Sequence, residues 1–458
     1  KNFKIWKKST NKIPFNHFCK ILNIPFMSYH KQVPENEMYN LFKYDPKTTL
    51  HANTRYVSVD YEDFTSNDTI VIQSGTGTGK TTNVSKLCRT YTSNYEHCTV
   101  LSIVNLISLA NQQKITFGKT GINLKMYNES KTLNPSAIMS NNSCICINSV
   151  WRLNGCDFRD KIVYIDEVYS LCETLTHSDT IQKQREVCCV LYNILTTCKK
   201  LVVSDAHIHN NVFEFMKIRL DAGNDRFMHY INSYKKFEST PATRYNDENE
   251  FYNTLEHKIM MGESCAFACD SKNITDKWFN KLYEGASVET QSKMLLYTRD
   301  TDTEIQSDWN GKIVFYTPKI TTSVDIMCVN ASEQFIYITG KSVSSIGLLQ
   351  MATRTRNMTK LNYYSSARSN ASLYESFKDC KKYLTEQYMI NHMGFDKEDI
   401  ECYNDEPSNC NKIEKWNLKM FIRNSYALDL YHTNALHFFE KELQACGFII
   451  NDAIGTHS

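Results

Sequence analysis

The chain has 458 residues, 41% hydrophobic and 22% charged, with a formal net charge of +2. This length accommodates two or three domains, and the composition is that of an ordinary globular protein rather than a disordered or fibrous one. The small net charge excludes a whole-body basic field, so any contact with nucleic acid has to come from a local groove; no apolar run is long enough to predict a membrane span, and no signal peptide is visible.

Residues 1–50 are mixed and punctuated by Pro14, Pro25, Pro34 and Pro46, and read as an accessory segment or the tail of an upstream domain. The first residue is Lys1 rather than Met, as expected of a piece of a longer chain. An apolar strand is predicted at Thr69–Gln73, and Ser74, Gly75, Thr76, Gly77, Thr78, Gly79, Lys80, Thr81 and Thr82 follow it. A helix-like stretch, Thr82–Cys88, comes next. Strand, glycine-rich turn, Lys-Thr and helix make a phosphate-binding P-loop. The glycines let backbone N–H groups approach an anion, and the helix N-terminus adds partial positive charge. Lys80 is expected to reach the β- and γ-phosphates of a nucleoside triphosphate, and the Thr81 hydroxyl to bind Mg²⁺. Ser74 stands where a Gly or Ala is usual.

Further buried strands are predicted at Thr99–Val104, Ser143–Ile147, Lys161–Ile165 and Leu201–Ser204, because uninterrupted apolar runs of that length suit a parallel sheet covered on both faces. Asp166 and Glu167 stand at the end of one of them, where ligands of open parallel sheets bind. One carboxylate, Asp166, is expected to hold Mg²⁺, and Glu167 to activate the attacking water, which favours hydrolysis. These elements predict an α/β domain over 51–238, and the polar stretch Asn232–Glu248 reads as a joint. A second series, Ser264–Ala268, Met294–Tyr297, Ile313–Thr317 and Gln334–Thr339, with a helical spacer at Thr275–Leu282, predicts a second α/β domain over 239–368. From 369 to 458 helical periodicity dominates, and Leu436, Phe439, Leu443 and Cys446 share a face expected to pack in a core, with Gly447 as a stop. The 17 cysteines show no paired CxxC spacing, which argues against zinc and for buried thiols in a reducing compartment.

The residues after the carboxylate strand resemble the superfamily 2 helicases, DEAD/DEAH-type relatives, and more closely the herpesvirus origin-binding protein type and its homologues in large DNA viruses. Leu109–Gln112 resembles the end of motif Ia, with Ile107 where an arginine is frequent. Cys146–Leu153 resembles the segment before motif II, whose serine, here Ser149, contacts the nucleic-acid backbone. Leu201–Ala206 resembles motif III, and Ser204 and Asp205 would couple hydrolysis to strand movement. Ser264–Asp270 resembles motif IV, and Val314–Asp325 motif V, with Ser323 at the usual glycine. Leu349–Arg356 resembles motif VI, so Gln350 would join the catalytic group and Arg354 and Arg356 would be arginine fingers on the γ-phosphate.

The resemblance covers about 65–360. It implies two tandem RecA-like domains, ATP and Mg²⁺ as cofactors, and a single-strand channel lined by Ser149, Thr317, Thr321 and Thr322, with Lys319 and Trp151 nearby. The implied function is an ATP-dependent DNA helicase or translocase of viral replication, generally 3′ to 5′, on single-stranded or duplex DNA. RNA, movement without unwinding, and an origin-binding module with weak ATPase remain as alternatives. An upstream primase domain, as in primase–helicase fusions of African swine fever virus-like viruses, or other replication proteins are the expected partners. The host cytoplasm is the expected compartment.

Overall fold

The computed structural model describes residues 48–127, 134–176, 181, 183–224, 226–301, 308–318, 332–355, 357–367, 372–393 and 412–453. The accessory segment predicted over 1–50 lies outside them up to residue 47. The chain divides into two compact units, the first drawing its described residues from 48–234 and 373–429, the second from 235–372 and 430–453.

The first unit is built on eight strands: β1 (Thr48–Ala52), β2 (Thr69–Ser74), β3 (Thr99–Val104), β4 (Lys125–Met126), β5 (Ser143–Cys146), β6 (Lys161–Asp166), β7 (Lys200–Asp205) and β8 (Phe227–Asn232). Their order is β1-β8-β2-β7-β6-β3-β5-β4, and every pairing is parallel. Every position of β6 and of β7 is buried, which is why their sequences read as continuous rather than alternating apolar runs. The helices used below are α1 (Lys80–Asn94), α2 (Ile107–Lys119), α3 (Val168–Thr176), α4 (Gln184–Thr197) and α5 (Asn210–Asp221). Arg219 of α5 is fully buried. Its guanidinium donates to Thr69 Oγ1 at 2.7 Å, Leu195 O at 2.8 Å, Asp68 O at 2.9 Å and Cys198 O at 3.1 Å. A planar fork of donors matches this ring of oxygens, which removes most of the cost of desolvating the charge.

The second unit has seven strands: β9 (Pro241–Tyr245), β10 (Cys265–Cys269), β11 (Met294–Tyr297), β12 (Ile313–Tyr316), β13 (Ser332–Ile338), β14 (Met358–Ser365) and β15 (Ile449–Asp452). They form one sheet ordered β11-β12-β10-β13-β14-β9-β15, again with parallel pairings. Helices α6 (Glu248–Met260) and α7 (Lys272–Gly285) close one face over a core of Phe251, Phe267, Trp278, Phe315 and Phe335. Helix α8 (Ser345–Ala352) packs with the other core cluster.

The polar stretch Asn232–Glu248, read above as a joint, contains the end of β8 and all of β9. In the C-terminal region α9 (Phe377–Met393) and the first part of α10 (Lys412–Thr433) belong to the first unit. Trp416 Nε1 of α10 donates to Glu214 O and Phe215 O, and Asn424 Nδ2 to Cys172 O. Beyond residue 429 the chain belongs to the second unit, where Phe439 and Leu443 of α11 (Ala435–Ala445) enter the core as their spacing predicted. The strand β15 that follows was not predicted. It pairs with β9 at the edge of the sheet.

Candidate active site

The loop between β2 and α1 starts from a serine. Asn232 Nδ2, at the end of β8, donates to Ser74 Oγ at 3.1 Å. Ser74 Oγ is 2.7 Å from Thr78 Oγ1, and Thr78 Oγ1 donates to Gly75 O at 2.8 Å. The Thr78 proton is therefore committed, and Ser74 is the donor between the two hydroxyls. The departure from Gly or Ala at position 74 thus braces the loop from inside. Gly77 and Gly79 have φ of 77° and 76°, a conformation that costs a residue with a Cβ about 1–2 kcal/mol. Gly79 caps α1 without a side-chain hydrogen bond, and no acid stands in the first turn. The N–H groups at that helix end are thus left for an anion. Lys80 Nζ donates to Ser74 O at 2.8 Å and Gly75 O at 3.0 Å, holding its charge over the same loop. Thr76, Gly77 and Thr82 are exposed, whereas Ser74 and Thr78 are buried.

The carboxylate strand meets the loop directly. Thr81 Oγ1 donates to Asp166 Oδ2 at 2.8 Å, and Ser204 Oγ donates to Asp166 Oδ1 at 2.6 Å. Tyr164 OH lies 2.9 Å from Ser204 Oγ and 3.5 Å from Thr81 Oγ1. Glu167 follows with φ of 51°, a left-handed conformation unusual for a residue with a side chain and concentrated at functional sites. It turns the chain from β6 into α3, where Glu167 O accepts from Leu171 N. Asp205, buried at the end of β7, accepts from Tyr169 N at 2.8 Å and His207 N at 3.1 Å, and its burial raises its pKa. Asp205 therefore ties β7 to the start of α3.

Thr81 and Asp166 offer hard oxygen donors in contact with each other, beside a loop that fits phosphate, and this donor set suits Mg²⁺ rather than a softer metal.

Known proteins are similar to this chain in sequence and fold. The family model described as type III restriction enzyme, res subunit (ResIII) matches residues 34–187. The chain is 22% identical over 308 residues to the "Putative replication origin binding protein" of Escherichia phage T5, covering 64% of this chain and 32% of that protein. It is 21% identical over 183 residues to the replication origin-binding protein of Human herpesvirus 7 (strain JI), covering 39% of this chain and 23% of that protein. The chain thus spans about a third or less of these relatives. Among solved structures, that of the DUF1998 helicase MrfA bound to DNA superposes with a TM-score of 0.50 at 14% identity, covering 72% of this chain and 50% of that one. The chain has two parallel-sheet α/β units that match the tandem RecA-like fold of helicases. Both relatives are of the origin-binding type that the motifs resemble.

The remaining segments that resemble helicase motifs fall as follows. Ser149 and Trp151 lie on a short 3₁₀ helix, Ile147–Leu153, after β5, and both are half-buried. The Trp151 ring is covered by Lys183 Nζ, 3.5 Å from its centroid. Gln350 is half-buried on α8, and Arg354 follows the end of that helix, half-buried, its N–H donating to Met351 O. Thr317 is buried and its N–H donates to Tyr297 O. Lys319, Thr321, Thr322 and Arg356 lie outside the described residues.

Besides Tyr164 of β6, three residues of the site escaped sequence reasoning. Gln113 is buried, hydrogen-bonds Ser102 of β3, and donates to Asp166 Oδ2 at 3.5 Å. Its signal is its position: Leu109, Gln113 and Phe117 are the buried residues of one α2 face at a spacing of four, and one of them is an amide. Asn232 gives no such signal. Besides bracing Ser74 it donates to Thr54 O and accepts from Thr54 N, pinning the segment before the P-loop. Val57 N of that segment donates to Thr78 O. Tyr56 is thereby presented beside the loop, 58% exposed, with its ring 3.5 Å from where a Cβ on Gly79 would stand.

Proposed function

We propose that this chain is an ATP-driven helicase or translocase that acts on DNA during viral replication. One observation carries the reading: the P-loop hydroxyl of Thr81 and the motif III hydroxyl of Ser204 hold the two oxygens of the same Asp166 carboxylate. A phosphate loop, a metal carboxylate and a third strand joined this way are what a hydrolase needs if nucleotide state is to be passed to another part of the molecule.

In this mechanism Lys80 exchanges its two carbonyl partners for phosphate oxygens, and the loop N–H groups cradle the phosphates. Thr81 and Asp166 would hold Mg²⁺, which when bound would supply positive charge to offset that of the phosphates. Glu167 orients the attacking water and takes its proton, a contribution of about 10²–10⁴ in rate. Gln113, Ser204 and Tyr164 keep the Asp166 carboxylate in place. Arg354 supplies the positive charge that the resemblance assigns to it. DNA as the track rests on the two origin-binding relatives, one of a phage and one of a herpesvirus.

The test is ATP hydrolysis by the chain with no nucleic acid, with single-stranded DNA and with single-stranded RNA. Stimulation by DNA and its loss in Lys80→Ala are expected. Hydrolysis that survives Lys80→Ala overturns the active site. A rate indifferent to DNA overturns translocation on DNA, and stronger stimulation by RNA moves the reading to an RNA helicase.

A further inference from the structure

The strands of the first sheet are parallel, so the edge opposite the P-loop collects all their starts. There, His97 and Cys98 immediately precede β3, and Asp160 immediately precedes β6, its neighbour in the sheet. Thr99 N donates to Asp160 O at 3.1 Å, and Cys98 N donates to Tyr95 O at 2.9 Å. These backbone bonds fix the two turns side by side. His97 Nε2 lies 3.8 Å from Asp160 Oδ1. One ligand atom from each of His97, Cys98 and Asp160 lies within 4.8 Å of the other two.

From this convergence we infer that His97, Cys98 and Asp160 form a binding site for Zn²⁺ or a similar thiophilic divalent cation, separate from the nucleotide site. Tetrahedral zinc with bonds of about 2.0–2.3 Å separates its ligand atoms by roughly 3.3–3.7 Å, so side-chain adjustments of about 1 Å close the shell. Imidazole, thiolate and carboxylate together select zinc over Mg²⁺. Binding replaces the thiol proton, which leaves to solvent. The thiolate and carboxylate charges then balance the cation. Burial and, less, the Asp160 charge raise the Cys98 thiol's pKa, and Lys199 and Lys200 offset only part of this, so the cation itself has to displace the thiol proton. With three protein ligands the fourth position goes to water. The bound ion staples two turns that are 62 residues apart in sequence. An exposed His–Asp pair alone contributes little to stability, whereas Cys98 stands at the rim of the hydrophobic core with its sulfur near both.

The test uses the whole chain stripped of metal with a chelator, then titrated with Co²⁺ as a spectroscopic probe and with Zn²⁺ against a chromophoric competitor. A thiolate-to-cobalt charge-transfer band is expected in the parent protein. Cys98→Ser abolishes it. His97→Ala, a substitution at an exposed position that leaves folding intact, weakens both metals about tenfold or more. Lys80→Ala leaves binding unchanged, which separates this site from the P-loop. No band in the parent protein, a band that persists in Cys98→Ser, or equal affinity in His97→Ala overturns the inference.

Discussion

The hydroxyl of Ser204 joins β7 to the Asp166 carboxylate, and its removal has a calculable consequence. Ser204 has one proton and gives it to Asp166 Oδ1 at 2.6 Å, so Tyr164 OH is the donor in the 2.9 Å contact between the two hydroxyls. All three groups are buried. Ser204→Ala removes a hydrogen bond to a charged group, about 1.5–3 kcal/mol, and leaves the tyrosine hydroxyl short of its better acceptor, about 1 kcal/mol more. The expected loss is roughly 3 kcal/mol. Tyr164→Phe alone removes one donor from a serine that keeps Asp166, and costs about 1 kcal/mol. Once Ser204 is alanine, deleting the tyrosine hydroxyl removes an orphaned group, so the double variant is no less stable than Ser204→Ala. The coupling energy is therefore about 1 kcal/mol or more. Urea denaturation of the four proteins measures it. In parallel, kcat/KM for ATP is expected to fall about tenfold or more in Ser204→Ala, since each 1.4 kcal/mol is a factor of ten. Strict additivity in the cycle, or full ATPase activity in Ser204→Ala, refutes the reasoning.

Glu167→Gln should lower kcat by about 10²–10⁴ while ATP still binds, checked by steady-state kinetics and by titration with a fluorescent nucleotide; unimpaired turnover removes Glu167 as the base. Tyr56→Ala should raise KM for ATP about five- to tenfold through the loss of a stacking surface, about 1 kcal/mol, with kcat unchanged; an unaltered KM means the ring does not meet the base. His229, buried on β8 with its ring nitrogen 3.1 Å from Gln73 Oε1, has its pKa pushed down to about 4 by burial and, less, by His51. The unfolded chain, titrating near 6.5, binds more protons between pH 6.5 and 4. Stability is therefore full above pH 6.5 and falls as pH drops toward 4, by at most about 3 kcal/mol. His229→Gln should flatten that slope in urea titrations at several pH values.

The sheet centres were legible because burial on both faces leaves nothing but apolar residues, as in β6 and β7. Other strands were hidden by polar residues that the fold satisfies internally. β14 carries the buried Asn362, which donates to Glu333 Oε2 at 2.9 Å, and β8 carries His229 and Asn232. β9 opens on Pro241, which is tolerated at the first residue of a strand but reads as a break. β1 and β15 are edges with short, mixed sequences. The meeting of the glycine-rich loop with Asp166 was legible because a strand, a Gly-rich turn and Lys-Thr stand at fixed spacing and the carboxylates end a second apolar strand. Gln113, Asn232 and Tyr56 were not, because each reaches the site through tertiary contacts: Gln113 from a helix face, Asn232 from a strand distant in sequence, Tyr56 by way of the segment Asn232 pins.

Arg219 bears on the order in which the first unit assembles. Its acceptors are at positions 68, 69, 195 and 198, so the ring of oxygens exists only after β2, the end of α4 and α5 have met. Because two of its acceptors lie about 150 residues away, the full ring is expected to close late in folding, past the barrier. Arg219→Lys, which cannot reproduce the fork, should leave the refolding rate nearly unchanged and speed unfolding. On that expectation the guanidinium is a latch on the finished sheet, set to govern the lifetime of the folded unit more than the time taken to reach it.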